Sequence, residues 1–562
     1  MTAPGEMFET ERIRVGDVEM TVWRHAPRSL RDVLESSRRY GDRDFLVYGD
    51  RRMTFDEHYR VASTLAQRLS DEGVGHGTRV ALIGRNLPEW VCTFWGAAVL
   101  GALVVPLNAW WSSDELRYGL ADSASTVAFV DAERLASVLP FADHLAELTT
   151  LVVLDARDDE TLPTLARVRV VAFSTFLGDV RDDATPPAAS IEPDDDATMF
   201  YTSGTTGRPK GAVSTHRNIV TNVMNLFFIA QRASRRFPSP TTDHVPNAAL
   251  LTIPLFHATG CLAVMVVNVA AGGRLVMMHH FDATRALELI ASERLTMIGG
   301  VPTVVMQLLD HPDFARSDTS SVRSVSYGGA PAPPELVRRI RAAFPLAQPG
   351  NGYGLTETSA ALALNTGPDY VTRPTSCGPP VPVCDVAIVP EGYGGLEPDD
   401  DQPRGPDVVG ELWVRGPNVV RGYWGRPEET AATFTRGWLH TGDLARLDDD
   451  GFLYIVDRAK DVIIRGGENV YSIIVEAALF EHPDVADCAV VGLPHATLGE
   501  EVAAVIVLRP GRRVEADEFA RHLLTRIARF EVPTRYFFRA DPLPRNPQGK
   551  VLKRELRASL AS

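Results

Sequence analysis

The chain is poor in cysteine. Cys92, Cys261, Cys377, Cys384 and Cys488 are the five among 562 residues, they are scattered, and no C-x-x-C pair occurs. That excludes a disulfide scaffold and argues against a zinc ribbon or a thioredoxin-type redox centre. Reduced, buried thiols are expected, as in a cytoplasmic protein. Basic residues are also in deficit: 57 Lys and Arg stand against 72 Asp and Glu, a formal net charge of −15. Nucleic-acid partners usually require a basic face, so none is expected. No apolar run approaches the eighteen or so residues that span a bilayer. The longest candidate, residues 261–271, reads as buried core. Residues 1–17 have no basic start followed by an apolar stretch, so no secretory signal is expected. Membrane contact is at most peripheral; for Trp110 and Trp111 it is a minor option, since core or surface packing explains that pair adequately. A Walker phosphate loop is missing too, since no Gly-Lys-Ser/Thr occurs at the required spacing.

What is present is an ordinary globular composition, 45% hydrophobic and 23% charged, on a chain too long for one core. Short apolar runs with a β-branched bias at residues 79–83, 126–130 and 150–154 suit strands buried on both faces. Residues 88–100 read as a helix between the first two. Ser112 and Glu115 have capping-box spacing ahead of Leu116 and Leu120. The alternation predicts an α/β fold: a large N-terminal domain of layered α/β subdomains over 1–456, a hinge at 457–461, and a small mobile α+β C-terminal domain over 462–562. Residues 232–246 read as a surface insertion and 397–407 as a loop. A helix face is predicted at Phe519, Leu523, Ile527 and Phe530.

The densest chemistry lies at Thr202-Ser203-Gly204-Thr205-Thr206-Gly207-Arg208-Pro209-Lys210-Gly211. Glycines permit tight turning and close backbone approach, hydroxyls and successive N–H groups can cradle an anion, and Lys210 adds a mobile positive charge. A second site is Gly350-Asn351-Gly352-Tyr353-Gly354-Leu355-Thr356-Glu357. Its glycines let a backbone pass near a flat ligand, and Thr356 and Glu357 offer the hard oxygens that Mg²⁺ prefers. Further groups are Ser326-Tyr327-Gly328-Gly329-Ala330-Pro331, expected as a turn after a strand at 321–325; Thr441-Gly442-Asp443; Asp457-Arg458-Ala459-Lys460-Asp461; Arg465-Gly466-Gly467-Glu468-Asn469; and a C-terminal frame of Pro and Gly around Lys550. His257 follows an apolar strand in Ile253-Pro254-Leu255-Phe256-His257.

Together these blocks, from about Val80 to Leu556, resemble the adenylate-forming superfamily of acyl-CoA synthetases, peptide-synthetase adenylation domains and beetle luciferases. The resemblance implies ATP, Mg²⁺ and CoA as partners beside a small-molecule carboxylic acid. It implies that the loop from Thr202 to Lys210 holds the β- and γ-phosphates, that Tyr353 packs near adenine, that Thr356 meets the α-phosphate and that Glu357 holds Mg²⁺. Gly328, Gly329 and Ala330 would line the adenine and acyl pockets, and Asp443 would accept from both ribose hydroxyls. Arg458 would touch ribose or phosphate, Lys460 would be the hinge residue, and Lys550 the catalytic lysine. His257 would border the acyl and pantetheine tunnels. Gly466, Gly467 and Glu468 would enter for the CoA step. The chain departs from the family pattern just after that loop, where Ser472-Ile473-Ile474 stands in place of the usual Pro-x-Glu.

A two-step ligase is therefore expected, forming acyl-AMP and then acyl-CoA. A medium- or long-chain fatty acid is favoured, because Gly299 and Gly300 leave room near the pocket floor. An aryl or sterol-derived acid fits as well. No Asp stands out to bind an α-amino group. An acyl-AMP ligase that loads a carrier protein remains an alternative, and a homodimer is compatible with the sequence.

Overall fold

The computed structural model describes the chain except residues 158–159, 203–207, 238–245, 331, 391, 399–404, 406–407, 547–549 and 561–562. The fold is α/β, with a large N-terminal domain and a small C-terminal one. Two wide sheets form the body of the larger part. In the first, of seven strands, the central Arg79–Ile83 is flanked in parallel by Leu103–Leu107 on one side and Val127–Val130 on the other. Thr150–Val153 and Arg169–Ala172 extend one edge, and the antiparallel strands Asp196–Thr202 and Lys210–Thr215 close the other. Val127–Val130 is buried throughout, as its unbroken apolar run requires. The capping box at Ser112 forms as expected, and residues 88–98 are helical.

In the second sheet, of eight strands, Ala248–Leu251 lies between Arg274–Met277 and Met297–Gly300, and Ser324–Gly328 and Gln348–Tyr353 follow in parallel. In both sheets the strand order reverses around a central strand. The carboxyl ends of parallel strands flanking such a switch point form a crevice that suits a ligand. Here the two crevices face each other across one cleft.

A third, antiparallel sheet carries Trp438–Leu447 against Leu453–Arg458, in the register that sets Asp443 opposite Arg458. The chain then makes a single 3₁₀ turn at Ala459–Asp461. After it, a smaller unit packs the helices Ser472–Phe480 and Ala516–Leu524 on a sheet built around Val485–His495 and Gly499–Leu508. No helix among the described residues is long and apolar enough to cross a membrane. All five cysteines are buried and unpaired.

Some sequence expectations are corrected here. Residues 232–236 are not part of an insertion but the last turn of the helix His216–Arg236, where Arg232 donates to the Leu364 carbonyl; residues 238–245 lie outside the described residues, as does most of the loop expected at 397–407. The strand expected at 321–325 runs instead over Ser324–Gly328, so Tyr327 and Gly328 are strand residues and the turn begins at Gly329, with φ +75°. The helix carrying Phe519 and Leu523 ends at Leu524, and Ile527 and Phe530 join the same core from the loop beyond it.

Candidate active site

The cleft between the two sheets and the smaller unit holds a cavity of about 1210 Å³. Its walls are largely strand ends: Arg85 and Asn86, Trp110 and Thr202 from the first sheet, and Thr252, Val301, Gly328, Gly329 and Gly354 from the second. His257, Thr356, Glu357, Gly442, Arg458, Lys460 and Lys550 complete it. Sequence blocks far apart along the chain therefore converge on one space.

The described ends of the phosphate-loop block are antiparallel strand residues. Thr202 pairs directly with Lys210, and both line the cavity. The residues between them that sequence singles out, Ser203, Gly204, Thr205, Thr206 and Gly207, lie outside the described residues. The strand pair is anchored from behind by Asp122. Its carboxylate accepts from Tyr201 Oη at 2.8 Å and Arg426 Nη2 at 2.7 Å, while Tyr118 Oη donates to the Pro209 carbonyl at 2.9 Å.

Lys210 Nζ stands 5.2 Å from the centre of the Tyr423 ring, and Tyr423 Oη donates to Glu357 Oε1 at 2.8 Å. Burial pushes the Glu357 carboxyl above its usual range, and the Tyr423 hydrogen bond partly offsets this. Glu357 sits on a short 3₁₀ turn, Thr356–Thr358, followed by two non-glycine residues in left-handed or near left-handed backbone, Ser359 at φ 50° and Ala360 at φ 94°. Such strain persists only where neighbours impose it. Thr358 Oγ1 donates to the Ala360 carbonyl, Ala361 N–H donates to Asn222, and Asn418 donates to the Thr358 carbonyl. Gly354 is obligatory for this turn: a Cβ there would lie 1.5 Å from the Ala360 oxygen.

Mg²⁺ fits this corner. No group of three or more His, Cys, Asp or Glu side chains gathers among the described residues, whereas Glu357 puts one carboxylate at the cavity wall. An ion held by one carboxylate and substrate phosphates needs no all-protein cage.

Asp443 is a strand residue, 3% exposed. Its Oδ2 accepts from Tyr353 Oη at 2.6 Å and its Oδ1 from Arg458 Nε at 2.7 Å. A carboxylate offers about four acceptor positions, so these two bonds leave acceptor capacity, but Asp443 itself stands just behind the cavity wall, reached through its neighbour Gly442 and its partner Arg458. Tyr353 thus serves to hold Asp443. It does not line the cavity, and neither do Asn351, Gly352 and Ala330, which stand behind the wall. The reason is strand pairing: Gly328 and Gly352 are register partners, and a Cβ on Gly328 would lie 2.7 Å from the Gly352 oxygen. Gly299 and Gly300 do not open the cavity floor either. Their missing Cβ positions would meet the Ser326 carbonyl at 2.3 Å and Thr252 Oγ1 at 2.7 Å, so close packing is their task.

His257 reaches the cavity from a loop clamped across the cleft by Asn86, which donates to the Ile253 carbonyl and accepts from Leu255 N–H. A π-helical turn follows at Thr259–Met265. Burial lowers the His257 pKa to about 3, so the ring is neutral near pH 7. Beside it stand Phe256, 4.6 Å away between ring centres, and Trp110, edge-on to Phe256 at 5.6 Å.

Lys550 enters from the smaller unit. Its backbone N–H donates to Asn546 Oδ1 at 2.9 Å, and Asn546 N–H returns a bond to the Lys550 carbonyl. Burial, reinforced by Arg458, lowers its pKa to about 8. Burial lowers that of Lys460 as well. Gly466, Gly467 and Glu468 are not brought to the cavity. They form the exposed tip between the strands Ile463–Arg465 and Glu468–Val470, because the Lys550 segment occupies the cleft face in this arrangement.

Three participants escaped the sequence reading. Tyr423 bridges Lys210 and Glu357. Glu411 accepts from Gly442 N–H at 2.9 Å. Trp110, 42% exposed, is part of the cavity rim. None carries a local signal, since each acquires its place only when strands distant in sequence are assembled.

Comparisons with known proteins agree with this geometry. A family profile described as AMP-binding enzyme matches residues 33–424, and one described as AMP-binding enzyme C-terminal domain matches residues 474–550. A feruloyl-CoA synthase of an Amycolatopsis species is 35% identical over 511 residues, covering 91% of this chain and 94% of its own length. A long-chain-fatty-acid–CoA ligase of Bacillus subtilis is 32% identical over 564 residues, covering 94% of each. A solved anthranilate CoA ligase in complex with anthranoyl-AMP superposes with a TM-score of 0.81 at 26% identity, covering 94% of this chain and 97% of that one. A cleft assembled from two sheet switch points, entered by a lysine from a separate small unit, and profile matches to both parts lead to one assignment: the chain belongs to the AMP-binding enzyme family.

Proposed function

We propose that the protein is an AMP-forming acid–thiol ligase that converts a carboxylic acid to its CoA thioester through an acyl-adenylate. The observation that carries this is the meeting of Lys550, Thr356, Glu357 and Arg458 in one cleft, with Asp443 paired to Arg458 directly behind the wall. A carboxylate oxygen attacks the α-phosphorus of ATP, and the bond from that phosphorus to pyrophosphate breaks. The segment from Thr202 to Lys210 holds the β- and γ-phosphates. Asp443 accepts from ribose hydroxyls. Thr356 donates to the α-phosphate, and the Lys550 ammonium stabilises charge gathering around phosphorus. Mg²⁺, held at Glu357, supplies further positive charge to the phosphate oxygens when bound. In the second step the CoA sulfur, its proton lost, attacks the acyl carbonyl, and the carbon–oxygen bond to AMP breaks. For that step the smaller unit turns about Lys460, Lys550 withdraws, and Gly466, Gly467 and Glu468 take its place.

For the acid, the ring-bearing wall formed by Trp110, Phe256 and His257, together with Val301, Val304 and Met306, favours an apolar body with a flat ring. Relatives are named for feruloyl and indoleacetate substrates, which agrees. A medium- or long-chain fatty acid is the second reading, supported by the aliphatic side chains on the same wall and by relatives named for long-chain fatty acids. The test is pyrophosphate release with ATP and Mg²⁺ over a panel of aryl and fatty acids, with and without CoA. An acyl-CoA product from aryl acids supports the proposal. Preference for fatty acids moves the assignment to the second reading. Release without thioester indicates an acyl-AMP ligase, and no release with any acid refutes the catalytic reading.

A further inference from the structure

Asp457 lies on the strand Leu453–Arg458, immediately before the 3₁₀ turn at Ala459–Asp461. Its carboxylate reaches across that turn to the helix Ser472–Phe480, whose N-cap residue Tyr471 provides no side-chain cap. Both the backbone N–H and the hydroxyl of Ser472 donate to Asp457 Oδ2, the latter at 2.8 Å. Ser472 Oγ in turn accepts from Lys553 Nζ at 2.6 Å, and Nζ pairs with Glu476 Oε1 at 2.7 Å. Ser472 is 0% and Asp457 1% exposed. Lys553 begins the last helix, shortly beyond Lys550. One hydroxyl thus joins the strand that carries Arg458 to the segment that carries Lys550.

A hydroxyl can do this because it donates once and accepts at the same time. The proline usual at this place in the family pattern has neither a hydroxyl nor an N–H, so Asp457 would keep the Arg458 N–H on Oδ1 but lose both Ser472 donors on Oδ2. We propose that Ser472 is a positioning residue: through Asp457 and Lys553 it holds the small unit in the arrangement that places Lys550 in the cleft, and so favours the adenylate-forming half-reaction over the thioester-forming one. This rests on the ligase reading and on the turn about Lys460. Asp457 and Ser472 lie on opposite sides of that turn, so a rotation that separates them breaks both bonds from Ser472 to Asp457 Oδ2. The bond network therefore stabilises one arrangement selectively.

The test measures the two half-reactions separately: pyrophosphate formation from ATP and acid without CoA, and thioester formation from synthetic acyl-AMP and CoA. Ser472→Ala is expected to slow the first about tenfold, equivalent to about 1.4 kcal/mol, and to leave the second unchanged or faster. Ser472→Thr is expected to restore the balance. Retained thioester formation also shows that the variant folds. If Ser472→Ala does not fold, Asp457→Asn carries the same expectation. Equal loss in both half-reactions, no change in either, or Ser472→Thr behaving like Ser472→Ala overturns the proposal. A structural readout is independent of catalysis: because the native cysteines are buried, spin labels at Ala315→Cys and Ala528→Cys, both exposed, report the separation of the two units. Ser472→Ala is expected to broaden that distance distribution, and an unaltered distribution overturns the proposal even if the ligase reading itself fails.

Discussion

Lys550→Met is the most informative perturbation of the adenylation step. Bringing the ammonium into the cleft lowers its pKa from 10.5 to about 8. That difference corresponds to about 3 kcal/mol at 1.36 kcal/mol per tenfold. The folded state bears this cost below pH 8, where the lysine is charged in both states, and is relieved of it as pH rises toward 10.5. Removing the charged side chain is therefore expected to leave the protein at least as stable near pH 7, while pyrophosphate formation falls on the order of hundred- to thousand-fold. Thioester formation from preformed acyl-adenylate should persist. The pH profile adds an independent check. The kcat/KM for ATP reports the free enzyme, so it should decline above pH 8 and be about tenfold lower at pH 9 than on its plateau. Lys550→Arg keeps a charge that does not titrate in this range, and its profile should lose that limb at whatever absolute rate it works. The assay is pyrophosphate release between pH 6 and pH 10 (approximate limits of enzyme tolerance), with thermal denaturation as a fold control. A limb near pH 8 that survives in Lys550→Arg, or full adenylation activity in Lys550→Met, would refute the assignment.

Three other outcomes follow from the same geometry. Glu357→Gln keeps the Tyr423 hydrogen bond but removes the charge, and the Mg²⁺ concentration for half-maximal pyrophosphate release should rise by about tenfold or more; an unchanged Mg²⁺ titration would show that the ion is held elsewhere. Asp443→Asn leaves Arg458 without its carboxylate, so the KM for ATP should rise at least about tenfold with a lower melting temperature, measured by initial rates and calorimetry. Gly354→Ala puts a methyl group 1.5 Å from the Ala360 oxygen, and the displaced Thr356–Glu357 turn should cost about 1–3 kcal/mol of stability and most of the adenylation activity, whereas retention of both would mean that the turn is free to move.

Where the sequence was legible, local chemistry decides the structure. The unbroken apolar run 127–130 is a buried strand because no polar group interrupts it, and Ser112 with Glu115 makes its capping box within a single turn. The site blocks stood out by their glycines, hydroxyls and carboxylates and by their resemblance to a known family, and Thr202, Lys210, Thr356, Glu357, Arg458 and Lys550 do line one cavity. Tertiary geometry was not. Gly299 and Gly300 read as open space, yet neighbouring backbone fills the positions their side chains would take. Tyr353 reads as a ligand platform, but the side of the strand it occupies turns its hydroxyl toward Asp443. Gly466, Gly467 and Glu468 read as site residues, yet they are exposed and away from the cavity, because how the small unit packs on the larger one is not encoded in any short segment.

The wall of the cleft is made of two materials. At Gly328, Gly329 and Gly354 it is bare peptide; at Val301, Val304, Met306 and Phe256 it is side chain. Mutation can recut a side-chain wall in either direction, one methylene at a time. A peptide wall can only be filled in, and at Gly328 and Gly354 even a methyl group collides with neighbouring backbone. Selection can therefore resculpt the side-chain part of the cavity while the peptide at Gly328 and Gly354 stays fixed. On the proposed reading, a cavity divided in this way can change the acid it takes at its side-chain wall while its peptide wall keeps one shape.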